Sequence, residues 1–181
     1  MGLVRVEPLK TKKEIDDFKS ALYDLGGARD RFLFTFGINT GLRVSDIVPL
    51  MVGDVRGKLY TDLSEQKTGK KRRIHLFSIQ GEILEYCEGK TDGDFLFPSA
   101  KGGHISTTQA YRILVRAGEW IGRDDIGTHS MRKTFGYHYY RQTLDIATLM
   151  VIFNHSSQAV TRRYIGIENE EIAEAMKKFK L

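Results

Sequence analysis

Residues 128–164 read THSMRKTFGYHYYRQTLDIATLMVIFNHSSQAVTRRY. Two helical patterns lie inside this stretch, one from Ser130 to Gln142 and one from Asp145 to Phe153, because apolar residues recur there at the three- and four-residue intervals that build one face of an α-helix. His129 and Arg132 stand at the head of the first pattern. His155 follows the second, and Tyr164 stands nine residues after His155.

Helical patterns continue in both directions. Thr11 and Glu14 have the spacing of a capping box, and Ile15, Phe18, Leu22 and Leu25 follow at helical intervals until Gly26-Gly27. From Ala28 to Asn39 the chain is densely apolar, with Phe32, Leu33, Phe34, Phe36 and Ile38, which predicts a helix buried on most sides and broken at Thr40-Gly41. Further helices are expected over Ser78 to Glu88, Ser106 to Ala117 and Glu168 to Phe179. Between Val52 and Leu76 the texture changes to short alternating pieces separated by Gly53-Asp54, Arg56-Gly57-Lys58 and Thr68-Gly69. This predicts a small antiparallel sheet whose tips carry Lys67 and the run Lys70, Lys71, Arg72 and Arg73. The fold class expected is mainly α with one small antiparallel β-sheet, an α+β arrangement.

Length and composition narrow the function. With 181 residues and 41% hydrophobic content the chain can bury a core as one domain, and no repeat or low-complexity linker divides it. A formal charge of +5 and a pI near 9.3 suit a polyanionic partner. Cys87 is the single cysteine, so an intramolecular disulfide or a cysteine-rich metal site is excluded and a cytoplasmic setting is expected, with Cys87 a buried helical thiol. No apolar run approaches bilayer-spanning length and no signal-peptide pattern opens the chain, so no membrane role is expected.

The residues that remain point to phosphodiester chemistry. A phosphodiester repels nucleophiles through its own charge, and the planar fork of arginine neutralises its non-bridging oxygens best. Arg43, within Thr40-Gly41-Leu42-Arg43-Val44-Ser45-Asp46, and Arg132 are the candidates for that clamp, with His155 as a further donor. Tyr164 is the candidate nucleophile, His129 the group that accepts its proton, and Lys67, on a hairpin tip, the donor to the leaving sugar oxygen. A covalent phosphotyrosine would conserve the broken bond's energy. The chemistry therefore calls for no cofactor and no metal, and the sequence holds no Walker loop and no His-Glu-x-x-His. Lys70, Lys71, Arg72 and Arg73 are expected to contact DNA phosphates, against the plainer reading of a solvated hairpin edge. Each residue taken singly is an ordinary packing or surface residue, and the ordered set is what carries the reading. His75, His104 and His138 fall outside it and are assigned structural roles, while Trp120, Tyr137, Tyr139 and Tyr140 are expected in the core or an interface.

The order Arg, Lys, His-x-x-Arg, His, Tyr resembles that of the tyrosine recombinases, the phage integrase family, over about Lys12 to Lys178. The resemblance implies that Arg43, Lys67, His129, Arg132, His155 and Tyr164 are catalytic and that Asp46 buttresses the first arginine. It implies a site-specific recombinase of a phage or other mobile element, acting on double-stranded DNA through a 3′-phosphotyrosine and exchanging strands. The enzyme would be a monomer in free solution and a homo-tetramer on DNA. Two positions depart from the family pattern: Lys133 stands where many relatives have histidine, and Asn154 where they have glycine. Arg43 lies too near the N-terminus to leave room for the helical domain that clamps the far side of DNA, so residues 1–181 are expected to form a single catalytic domain without a core-binding domain. The rival readings are a type IB topoisomerase-like nicking-closing enzyme and a catalytically inactive DNA-binding relative. The intact series and the His155 to Tyr164 spacing favour the recombinase.

Overall fold

The computed structural model describes residues 6–64, 69 and 71–180. Helix α1 (Lys12–Gly26) opens with the expected capping box: the Glu14 amide donates to Thr11 Oγ1 at 3.1 Å and the Thr11 amide to Glu14 Oε2 at 2.8 Å. It buries Phe18, Ala21 and Leu22 against α2 (Ala28–Thr40), where Phe18 meets Phe34 edge-on at 4.6 Å. Helix α2 is apolar on nearly every side and runs through the middle of the larger core. The short helices α3 (Val44–Ile47) and α4 (Val52–Val55) lead to a two-stranded antiparallel sheet, β1 (Tyr60–Ser64) and β2 (Lys71–His75), with Thr61 opposite Ile74 and Asp62 opposite Arg73.

After a 3-10 turn at Phe77–Ile79 come α5 (Gln80–Tyr86), α6 (Thr107–Trp120), α7 (Thr128–Thr143), α8 (Ile146–Phe153), α9 (Gln158–Ile165) and α10 (Glu168–Lys178). The protein is mainly helical with one small antiparallel sheet, as its sequence predicts. Two details differ. Gly53-Asp54 lies within α4 rather than in a strand turn, because the Asp54 carboxylate accepts from the Met51 amide at 2.8 Å and closes a helical turn. Helix α9 carries Tyr164 and has no counterpart among the expected helices.

Apolar side chains gather in two clusters. The larger takes in α1 to α6 and ends at Met131 on α7; the smaller holds Tyr137, Tyr140, Ile146, Leu149, Phe153, Ile165 and Ile167. Helix α7 therefore belongs to both. Two of its contacts depend on missing side chains: a Cβ on Gly37 of α2 would lie 2.5 Å from Met131 Sδ, and one on Gly136 would lie 2.6 Å from Ile165 Cγ2 and 2.7 Å from Phe153 Cε2. Close approach at Gly136 is what seats α9 against α7.

Cys87 is a buried thiol, and His138 and His104 bind backbone carbonyls, those of Leu9 and Ile105. Trp120 is 67% exposed and so is not a core residue. Among the described residues no helix is long and apolar enough to cross a membrane, and no group of three His, Cys, Asp or Glu could hold a metal ion.

Candidate active site

Helix α7 begins at Thr128, two residues earlier than its apolar pattern indicates, so His129 and Arg132 lie in its first turns, three residues apart on one face. Arg132 is only 3% exposed. Burying a guanidinium requires partners, and two of its nitrogens donate to backbone carbonyls: Nη1 to Gly41 at 2.5 Å and Nη2 to Phe153 at 3.0 Å. Its face also rests 4.3 Å from the Phe153 ring centroid. These contacts fix the plane of the fork, and its charge favours the ionised form of Tyr164.

Both carbonyls are set by left-handed residues at helix ends. Gly41 (φ 62°) ends α2, and a Cβ there would strike the Phe135 ring at 2.5 Å, so glycine is required by conformation and by space. Asn154 (φ 53°, ψ 46°) ends α8 in the same conformation, which asparagine tolerates better than other side-chain-bearing residues. Glycine would satisfy the same left-handed geometry at this position. Arg43 follows Gly41 closely, half-buried at the N-cap of α3, and its carbonyl accepts from the Asp46 amide at 2.9 Å. Asp46 itself is 5% exposed.

From Asn154 the chain turns into His155, whose Nδ1 lies 3.0 Å from Thr161 Oγ1. Burial lowers the His155 pKa, and the charges of Arg132 and Arg43 lower it further, so the neutral imidazole is favoured. Helix α9 is capped by Ser157, whose hydroxyl accepts from the Val160 amide at 3.2 Å, and is closed by left-handed Gly166. Its buried residues are Thr161 and Ile165, and this places Tyr164 at the site.

The Tyr164 ring meets His155 at 5.0 Å and Phe153 at 5.5 Å, both edge-on, and its Oη lies 3.2 Å from His129 Nδ1. Burial raises the Tyr164 pKa, while the Arg132 and Arg43 charges and the Arg132 hydrogen bond oppose the rise. The phenol is therefore protonated at neutral pH, next to an exposed imidazole that can take its proton. Arg43, His129, Arg132, His155 and Tyr164, drawn from across the chain, are brought together around one phenol.

The hairpin is less uniform. Lys67 and Lys70 lie outside the described residues. Lys71 is exposed and Arg72 half-buried, while Arg73 makes a two-pronged ion pair with Asp62, both oxygens at 2.9 Å, and covers the Tyr60 ring at 4.2 Å. A phosphate at Arg73 would compete with Asp62. Lys71, Arg72 and Arg73 also edge a groove of about 690 Å³ whose far wall is Phe135, Tyr139, Val151 and Ile152.

Lys133 is a site neighbour that residue spacing does not reveal. It is 8% exposed, donates from Nζ to the Val6 carbonyl at 2.6 Å, and holds its ammonium 5.4 Å from the Tyr164 ring centroid.

A profile of the phage integrase family matches residues 3–171. The chain belongs to this family. Over 176 residues this integrase-family chain is 46% identical to the probable integrase/recombinase YoeC of Bacillus subtilis, covering 96% of its own length and 97% of that protein's. It is 26% identical to the tyrosine recombinase XerC of Oceanobacillus iheyensis, and there it covers 98% of its own length but 60% of the relative's. The crystal structure of XerH site-specific recombinase bound to palindromic difH substrate, a post-cleavage complex, superposes with a TM-score of 0.72 at 20% identity, covering 98% of this chain and 54% of that one. At that identity the likeness establishes a shared fold.

Proposed function

We propose that this integrase-family protein cleaves and rejoins duplex DNA with Tyr164 as its nucleophile. The observation that carries the reading is the convergence on one half-buried phenol of His129 Nδ1 at 3.2 Å and of the charges of Arg132 and Arg43. A reaction that builds negative charge beside a phenol uses all of them.

In this reading a DNA phosphate sits between Arg43 and Arg132, with neutral His155 donating to a non-bridging oxygen. Thr161 supplies the imidazole with a hydroxyl partner that fixes which nitrogen faces the phosphate. As Tyr164 Oη attacks phosphorus, its proton passes to His129, the bond to the 5′ oxygen breaks, and Lys67 protonates that departing oxygen, which leaves as a 5′ hydroxyl. A 3′-phosphotyrosine results, and attack by a 5′ hydroxyl of another strand reverses the step. Asp46 holds Arg43, and Lys71 and Arg72, with Lys70 and Arg73, contact flanking phosphates. Exchange between two duplexes needs four such sites, hence a tetramer on DNA. The DNA-bound state of the XerH relative supports duplex DNA as the substrate class.

The test is a nicked suicide duplex carrying the candidate site, from which the 5′-hydroxyl fragment diffuses away after cleavage. A covalent protein–DNA band on a denaturing gel is expected. Its absence, with binding of the same duplex intact, overturns the reading.

A further inference from the structure

The mechanism above gives the phenol oxygen its partners but does not explain what holds the ring. Phe153 and His155 meet it edge-on, which restrains it on one side. Lys133, one position beyond Arg132 on α7, occupies the ring face at 5.4 Å from the centroid. A lysine 92% enclosed in protein must have its ammonium satisfied, and the Val6 carbonyl at 2.6 Å anchors it. Val6 is itself held. It begins a segment whose Glu7 amide donates to the Asp125 carbonyl at 3.0 Å and whose Leu9 amide donates to Thr134 Oγ1 at 2.9 Å, one residue along α7. The position of the charge is thus set by backbone, and it stands over the face of the Tyr164 ring.

We infer that Lys133 is a positioning residue for the nucleophile: its anchored ammonium holds the Tyr164 ring in attack orientation and favours the phenolate as the proton leaves. This rests on Tyr164 being the nucleophile. A cation on an aromatic face attracts the ring quadrupole, and the attraction grows as the ring gains negative charge, so the contact is stronger in the transition state than before it. The other charged or titratable groups facing the phenol are Arg43 before α3, His129 and Arg132 on α7 and His155 after α8. His129 meets the oxygen and His155 meets the ring edge-on, while Lys133 stands over the ring face.

The test uses the full chain with 3-fluorotyrosine at position 164, so that 19F NMR reads the phenol's titration without any cleavage, beside single-turnover adduct formation on the suicide duplex. Lys133→Gln keeps a donor for the Val6 carbonyl and removes the charge; Lys133→Arg keeps both. In the Gln variant the phenol midpoint is expected to rise and adduct formation to slow by roughly tenfold with duplex affinity unchanged, and in the Arg variant both return toward the unsubstituted values. An unchanged midpoint in the Gln variant overturns the assignment whatever the cleavage rate. So does a raised midpoint with normal cleavage, since the contact then does nothing for attack. Should the Gln variant fail to fold, a raised midpoint in the Arg variant is by itself contrary to the proposal. If the unsubstituted chain forms no adduct, the nucleophile reading fails, while the midpoint still reports on the ring-face contact.

Discussion

Arg132 and Tyr164 meet at one site but stand on different foundations. Arg132 follows Met131, the last residue of the large core, and is clamped by carbonyls of two separate helix ends. Tyr164 rides on an eight-residue helix whose apolar attachment is Ile165 and whose other ties are polar: Arg162 to Glu171 at 2.5 Å and to the Tyr140 hydroxyl at 3.0 Å. The group that would grip phosphate is fixed by burial and backbone. The group that would attack it sits on a small, polar-rimmed module attached to the smaller cluster. A site built this way can hold its substrate ready and still regulate the nucleophile.

The sharpest probe of this contrast is Tyr164→Phe, expected to abolish covalent adduct while leaving duplex affinity and melting temperature nearly unchanged, because it removes one hydroxyl from the weakly anchored side. Adduct formation by this variant would move the nucleophile elsewhere. Arg132→Lys should do double damage: adduct formation falls by about a hundredfold or more, and stability falls by about 2 kcal/mol as one fork is lost from two buried carbonyls. Arg43→Lys should match it in the gel but not in the melt. Equal melting losses in the two variants would mean that the two carbonyl bonds of Arg132 add nothing special to stability.

The sequence disclosed the parts of this arrangement unequally. The capping box of α1 and the all-round apolar texture of α2 are local patterns, and both helices formed as expected. Helix α9 escaped because it buries only Thr161 and Ile165, too few positions for a period to show; Ser157 and Gly166, a cap and a stop, were its available signals. The site residues stood out as chemical types in order. What aims them did not: the acceptors of Arg132 are backbone carbonyls, one of them 91 residues away, and backbone partners leave no trace in composition. The Asp62–Arg73 pair was hidden for a related reason, since it depends on strand register.

Smaller effects sharpen the comparison further. Gly136→Ala places a methyl group against Ile165 and Phe153 and should cost about 1–3 kcal/mol while displacing α9. The same change at Gly81 of α5, which faces open space, should be neutral or stabilising by about 0.5–1 kcal/mol. If Gly136→Ala lowers the melting temperature yet spares adduct formation, the smaller module does not position the nucleophile. The mildest effect is that of pH. His155 has a folded-state pKa below its ordinary value, so the unfolded chain binds the proton more readily and stability is lost as pH falls from that ordinary value toward the depressed one. His155→Gln should flatten the melting-temperature profile across that window, and an unaltered profile would assign the acid sensitivity to other groups.

One consequence lies in α10. Its ties to the rest of the protein are ionic or strongly polar, Lys10 and Tyr137 to Glu170, Arg162 and Tyr140 to Glu171, while Ile172, Met176 and Phe179 face solvent at 58%, 62% and 63% exposure. Dissolved ions act on these two features in opposite senses, screening the ion pairs and making exposed hydrocarbon less welcome in water. Ionic strength is therefore a dial on this segment, and turning it up loosens the helix from its own body as it sharpens the helix's appetite for any greasy surface nearby.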